Sequence, residues 1–214
     1  MPRGVKPQRP YDSSRRQEQA RLNRLAVLDA ARRLFLEHGY AATTMSAVAA
    51  DAGVSVETVY KAFSNKPGLV KAVFDVAIVG DDEPIPLMQR EFVQRNQAEP
   101  DPRKKLIAYG AHLAEVAPRA CPIQLVVRAA AASDAGAADV WEQLQTERLM
   151  GMTVFAEHLD EGGHLRKGVS RDEARDVLWT HNSVELWDLL VNQRGWTNAR
   201  FGTWVGKQLI AALL

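Results

Sequence analysis

Cysteine is nearly missing from this chain: of 214 residues only Cys121 is one. An intrachain disulfide is therefore impossible. Nothing points to an oxidising compartment, and a cytoplasmic location is expected. No stretch approaches the roughly 20 consecutive apolar residues of a membrane helix. The N-terminus is basic, but no apolar core follows it, so it does not read as a secretory signal. Sustained apolar–polar alternation is missing, which argues against a sheet. No internal repeat stands out either. The usual signatures of catalysis are also missing. No His pair has the i, i+4 spacing of a helical zinc site, His158 and His164 being six apart across Gly162-Gly163. There is no Walker-type loop and no G-x-G-x-x-G. Cys121 stands before Pro122 among apolar neighbours, which suits an inert buried thiol, with a redox switch as the alternative. No metal or cofactor is expected, and the chain does not read as an enzyme.

What is present suits a folded protein, with 46% hydrophobic and 25% charged residues. The net charge of +1 hides an asymmetry: residues 1–71 hold 12 Lys and Arg against 6 Asp and Glu, and the remainder holds 15 against 20. A basic head that suits a polyanion, joined to an acidic body, is one reading; a charge-varied solvated surface is the other.

The helical signals are dense. Residues 1–13, with Arg3, Lys6, Arg9 and three prolines, read as a flexible basic arm that could lie along phosphates. A first helix is expected from the capping box Ser14-Arg15-Arg16-Gln17 to Gly39, with Leu22, Leu25, Leu28, Ala31 and Phe35 on one face. A second opens at Thr44 and ends at Gly53. A third opens at Ser55 and runs to Phe63. Two short helices across a tight glycine turn make a helix-turn-helix. Asn65 caps a further helix that Gly80 ends, and a Pro- and Asp-rich connector follows over 80–102, with a short helix at 87–97. Further helices are expected over 103–117, 120–133, 138–161, 171–193 and 198–213.

In a helix-turn-helix the second helix lies in the major groove, braced by the first. Ala49, Ala50 and Ala52 supply the small residues of the crossing, and Val54, Val59 and Phe63 pin the reading helix from behind. The opposite face then shows Glu57, Thr58, Tyr60, Lys61 and Ser64.

These residues carry a resemblance. Over residues 23–75 the chain resembles the TetR family of bacterial transcriptional regulators, through Phe35, Gly39-Tyr40, Thr44, Ala49, Ala52-Gly53-Val54-Ser55, Thr58, Tyr60, Phe63, Asn65-Lys66 and Leu69. The resemblance implies an all-α fold: an N-terminal three-helix helix-turn-helix DNA-binding domain, here 14–80, followed by a helical ligand-binding and dimerisation domain, here 81–214. It implies that Thr44, Tyr60 and Lys66 meet phosphates and that Val56, Glu57 and Thr58 read bases, with Ser55 and Lys61 beside them on the DNA face. Val56, Glu57 and Ala62 depart from the family's usual residue types, which bears on the operator sequence. Glu57 has two uses: it can accept from a cytosine amino group, or it can favour the helix dipole from the first turn.

The family's last helices pair two copies. Candidates here are Val177, Leu178, Val184, Leu186, Leu189, Leu190, Phe201, Trp204, Val205, Leu209 and Ile210, which also suit the monomer's own core. Candidate lining for a small-molecule site is Tyr109, His112, Arg128, Trp141, Trp179 and Asn182, suited to an apolar or aromatic compound. The expected function is a homodimeric repressor that a small molecule releases from a palindromic operator in double-stranded DNA, with no membrane involved. The alternatives are a ligand-independent regulator or activator with the same head, and a small helical enzyme whose head only resembles a DNA reader.

Overall fold

The computed structural model describes residues 11–214, and residues 1–10 of the expected arm lie outside them. The described residues form helices and turns with no strand. In order these are α1 (Tyr11–Ala42), α2 (Met45–Asp51), α3 (Val56–Phe63), α4 (Lys66–Val79), a 3-10 turn (Leu87–Gln89), α5 (Glu91–Ala98), α6 (Pro102–Ala131), α7 (Ala135–Glu161), α8 (Arg171–His181), α9 (Val184–Trp187), a π-helical turn (Asp188–Gln193) and α10 (Asn198–Leu213).

The caps explain the N-terminal layout. Thr44 accepts from the Ala47 amide, Ser55 from Thr58 and Asn65 from Gly68, so each short helix starts on a side chain that satisfies an otherwise orphan donor. Gly53 (φ 66°) turns the chain between α2 and α3, and Gly80 (φ 92°) ends α4 in the left-handed conformation.

One expected boundary moves. The first helix begins at Tyr11 rather than Ser14, so the last three residues of the expected arm are helical. An exposed serine inside a helix costs little, so the capping box does not force a start there. At Gly39 the backbone leaves helical geometry (φ 76°, ψ 174°), a break at the expected stop, and a short helical stretch follows to Ala42.

The body also differs from the expected segments. Residues 103–117 and 120–133 are one helix, α6, which runs through Pro118 and Pro122. Conversely, the segment 171–193 breaks at Asn182, because Ser183 caps a new helix by accepting from Leu186. The centre of the body is the crossing of α6 and α10. There the Gly110 and Gly202 backbones meet so closely that a Cβ on Gly110 would stand 2.3 Å from the Gly202 carbonyl oxygen.

Two large apolar cores result. One joins Val27, Phe35, Val48, Val59 and Leu69 of the first four helices to Ile123 and Val127 of α6 and to Val140 and Leu144 of α7. The other holds Leu106, Tyr109, Met152, Leu178, Trp187, Phe201 and Leu209. No helix among the described residues is long and apolar enough to cross a membrane.

Candidate DNA-reading face and ligand cavity

Two regions present chemistry. The first is the outer side of α3. Val59 and Phe63 are buried beneath it and Val54 packs at its start, which turns the other face outward. Val56, Glu57, Tyr60 and Lys61 are exposed there, with Tyr60 half accessible (50%). Ser55 and Thr58 are tied together at the start of the helix: the Thr58 amide donates to Ser55 Oγ at 3.1 Å, and the two hydroxyls lie 2.8 Å apart. Thr44 caps α2 and stays exposed. Its oxygen accepts from Ala47, so its hydroxyl proton remains available to a phosphate.

Lys66 is placed differently from a free surface lysine. Its Nζ donates to the Tyr40 carbonyl at 2.9 Å and sits 4.2 Å from the centre of the Tyr40 ring. The ammonium is thereby held in one place, with donors to spare. Tyr40 itself is stacked on Phe35, and burial raises its phenol to about 12. Arg24 similarly ties the head to the connector, bonding Asp82 at 2.7 Å while lying over the Phe63 ring.

The second region is a cavity of about 720 Å³. Its wall is drawn from α4 (Phe74, Asp75, Ile78), the connector, α5 (Phe92), α6, α7 and the Asn182–Trp187 segment. The first four helices and those after the connector therefore share it. Of the candidate lining residues, Tyr109, His112 and Asn182 line it and Arg128, Trp141 and Trp179 do not. Arg128 is an exposed cation 3.4 Å from Glu185. Trp141 packs against the core of the first four helices. Trp179 stands outside the lining, with its ring 4.4 Å from the guanidinium of Arg148, which does line the cavity. In all three the residue type suited a pocket, but the helix phase points the side chain elsewhere.

The residues that sequence reasoning missed include Phe92, Gln124, Arg148, Met152, Phe155 and His158. A signal existed on α7. Leu144, Arg148, Met152 and Phe155 recur every three or four residues, so Arg148 falls on the buried stripe. At one end of the cavity, the fully buried Lys105 donates to the Asn96 and Gln97 carbonyls at 2.6 and 3.1 Å and lies 3.0 Å from His158 Nε2. Burial lowers the Lys105 pKa. His112 stacks on Phe92, and burial lowers its pKa as well. Cys121 also lines the cavity; burial pushes its thiol up to about 12, so it is protonated and a poor nucleophile at neutral pH.

Comparisons with known proteins agree with this geometry. Residues 27–73 match the model of a family described as bacterial regulatory proteins, tetR family. The HTH-type transcriptional repressor ComR of Escherichia coli is 43% identical over 53 residues, a quarter of this chain and a quarter of that relative's length. Among solved structures, the regulator FadR of Bacillus subtilis in complex with stearoyl-CoA superposes with a TM-score of 0.68 at 16% identity, covering 89% of this chain and 99% of that one. SmeT of Stenotrophomonas maltophilia in complex with triclosan superposes with a TM-score of 0.65 at 22% identity, covering 90% and 91%. At those identities the two structures speak for the fold.

Proposed function

From the match of residues 27–73 to the tetR family of bacterial regulatory proteins, we propose that the protein is a homodimeric repressor which a small molecule releases from a palindromic operator. One observation carries the reading: α4, which closes the helix-turn-helix, is also a wall of the cavity through Phe74, Asp75 and Ile78. A molecule seated there touches the element that supports α3. Release needs a ligand that binds one arrangement of the two heads better than the other, and the coupling is then reciprocal.

We divide the chain into a reading head, residues 14–80, and a body, 81–214. On the head, Thr44, Tyr60 and Lys66 serve phosphates, while Val56, Glu57 and Thr58 face bases, with Ser55 and Lys61 at the margin. Lys66, clamped on Tyr40, would offer its remaining donors from a fixed position. On the body, Leu178, Val184, Phe201, Val205 and Leu209 are consumed by the monomer's core. Val177, Leu186, Leu190, Trp204 and Ile210 keep accessible area, and Leu189 is half exposed, so these are the residues proposed to meet a second copy. A two-fold pair of heads would bind half-sites about one helical turn or a multiple of it apart.

The test is a binding selection on random duplex DNA at two salt concentrations. Enrichment of a palindrome, with affinity falling steeply as salt rises, is expected. Enrichment of no sequence, or binding indifferent to salt, would overturn the reading. A cavity of about 720 Å³ favours this reading over a ligand-independent regulator, for which no such space is needed.

A further inference from the structure

The cavity is apolar over most of its wall, through Phe92, Leu113, Val116, Leu144, Phe155 and Trp187. Its polar groups are not evenly spread. Tyr109 on α6, Arg148 and Met152 on α7, and Asn182 after α8 come together. The buried Tyr109 hydroxyl donates to the Met152 sulfur at 3.3 Å, and Asn182 Nδ2 donates to the same sulfur at 3.8 Å. A thioether is a weak acceptor, so two donors share a partner that satisfies neither well. Arg148 is close enough to bear on the ionisation of both Tyr109 and Cys121. Its terminal nitrogens donate to the Trp179 carbonyl and to Gln145, while its Nε is buried without a partner. Among the described residues no carboxylate stands within ion-pair distance of it. Glu185 bears on Arg148 only at longer range, raising its pKa against the burial that lowers it, and forms its ion pair with Arg128 instead. This half-buried cation therefore has no carboxylate in direct contact.

Apart from Glu83, which is exposed on the connector, the carboxylates on the same wall are already engaged. Asp75 and Glu147 share Lys71, at 2.6 and 3.1 Å, and Asp82 and Asp81 are held by Arg24 and Arg90. These four offer a cationic ligand no free partner, and Glu83 stands on the exposed connector, away from α6 and α7 in the chain. The group left wanting is positive and surrounded by hydrogen-bond donors.

Resting on the reading that this cavity takes the inducing ligand, we propose that the ligand is an amphipathic monoanion: a carboxylate on an apolar chain or ring, with its oxygens set among Tyr109, Asn182 and Arg148. Charge-assisted bonds from a guanidinium and two neutral donors are the arrangement that fits a carboxylate. The apolar remainder lies against Phe92, Phe155 and Leu113.

The test is calorimetric titration of the full chain, without DNA, with two matched pairs: decanoate against decan-1-ol, and 4-phenylbutyrate against 4-phenylbutan-1-ol. In at least one pair the acid should bind tenfold or more tighter than its alcohol. R148M should abolish that preference, and R148K, which keeps the charge, should retain most of it. Acid and alcohol binding alike in both pairs, or a preference that survives in R148M, would overturn the proposal, as would tighter binding of decylamine than of decanoate. Operator affinity is measured separately with the acid present. An acid held through Arg148 that leaves operator affinity unchanged would overturn the release reading and leave this one standing. Release by neutral compounds alone would do the reverse.

Discussion

Glu57 and Tyr60 stand on the same exposed face of α3, three residues apart, and should fail differently when changed. Phosphates repel a carboxylate, so Glu57 gains from DNA only where a cytosine amino group can donate to it. Glu57→Ala is expected to relax the preference at one base pair of each half-site. Equal weakening on all sequences, or no change, would leave Glu57 only its place in the first helical turn. Tyr60→Phe removes a hydroxyl suited to phosphate, and should lower affinity on every sequence without altering the preferred one; a changed consensus in the binding selection would contradict it. His112 permits a prediction on pH. Against Phe92, burial holds its imidazole below the ordinary value of about 6.5, with Arg119 adding to that and Glu115 opposing it. The folded protein therefore binds fewer protons here than the unfolded chain. The stability from this group is full above the unfolded value and is lost as pH falls through the folded one. H112F keeps a ring on Phe92 and should lose less thermal stability between pH 7.5 and 5 than the parent; equal losses would show that other groups dominate. The face of α3 was legible because its neighbours Val59 and Phe63 betray the buried side. Arg148 was not, since a charge on a buried stripe reads as an exception until its surroundings are known.

At the scale of elements, caps and glycines could be read locally, whereas continuity could not. Thr44, Ser55 and Asn65 each bond within three residues, so sequence is enough to place them. Pro118 and Pro122 are local signals too, yet α6 passes through both. Each proline forfeits a helical hydrogen bond at a cost of ~3 kcal/mol. The packing of α6 against α1, α4, α7 and α10 offsets it, and no window of sequence contains those partners. The α6–α10 crossing makes the same point through Gly110 and Gly202. A methyl group on Gly110 would collide with backbone, at 2.3 Å from the Gly202 oxygen and 2.9 Å from the Gly206 nitrogen, and backbone cannot swing aside as a side chain can. Gly110→Ala should therefore destabilise by about 1–3 kcal/mol despite alanine's better helix propensity. For a chain of this size that is a drop of roughly 2–10 °C in Tm. Gly151 on α7 is the control, since a Cβ there meets nothing within 4 Å. Gly151→Ala should be neutral or stabilising by up to about 1 kcal/mol. If both variants melt like the parent, the crossing is looser than its geometry.

For the whole molecule, the division proposed at Gly80 is not a division of cores. The apolar cluster under α3 includes Ile123 and Val127 of α6 and Val140 and Leu144 of α7, all far along the chain from the helix-turn-helix. Sequence pattern finds each stripe but not which stripes face one another, so this sharing could not be read in advance. It has a thermodynamic consequence. A head whose core is completed by the body should not melt by itself, and heating should give one cooperative transition whose calorimetric and van't Hoff enthalpies agree. Ile123 is the place to test it, because it is fully buried in that cluster yet lies outside the residues that match the family model. Ile123→Ala removes three carbons from a packed site and should cost about 2–5 kcal/mol. The decisive readout is operator binding followed through the thermal transition alongside helical circular dichroism. In the variant both should fall together at a lower temperature. Operator binding that persists at the parent's temperature while the helical signal drops would mean that the head is independent of α6. The cavity would then need a route to the DNA other than the shared core and α4.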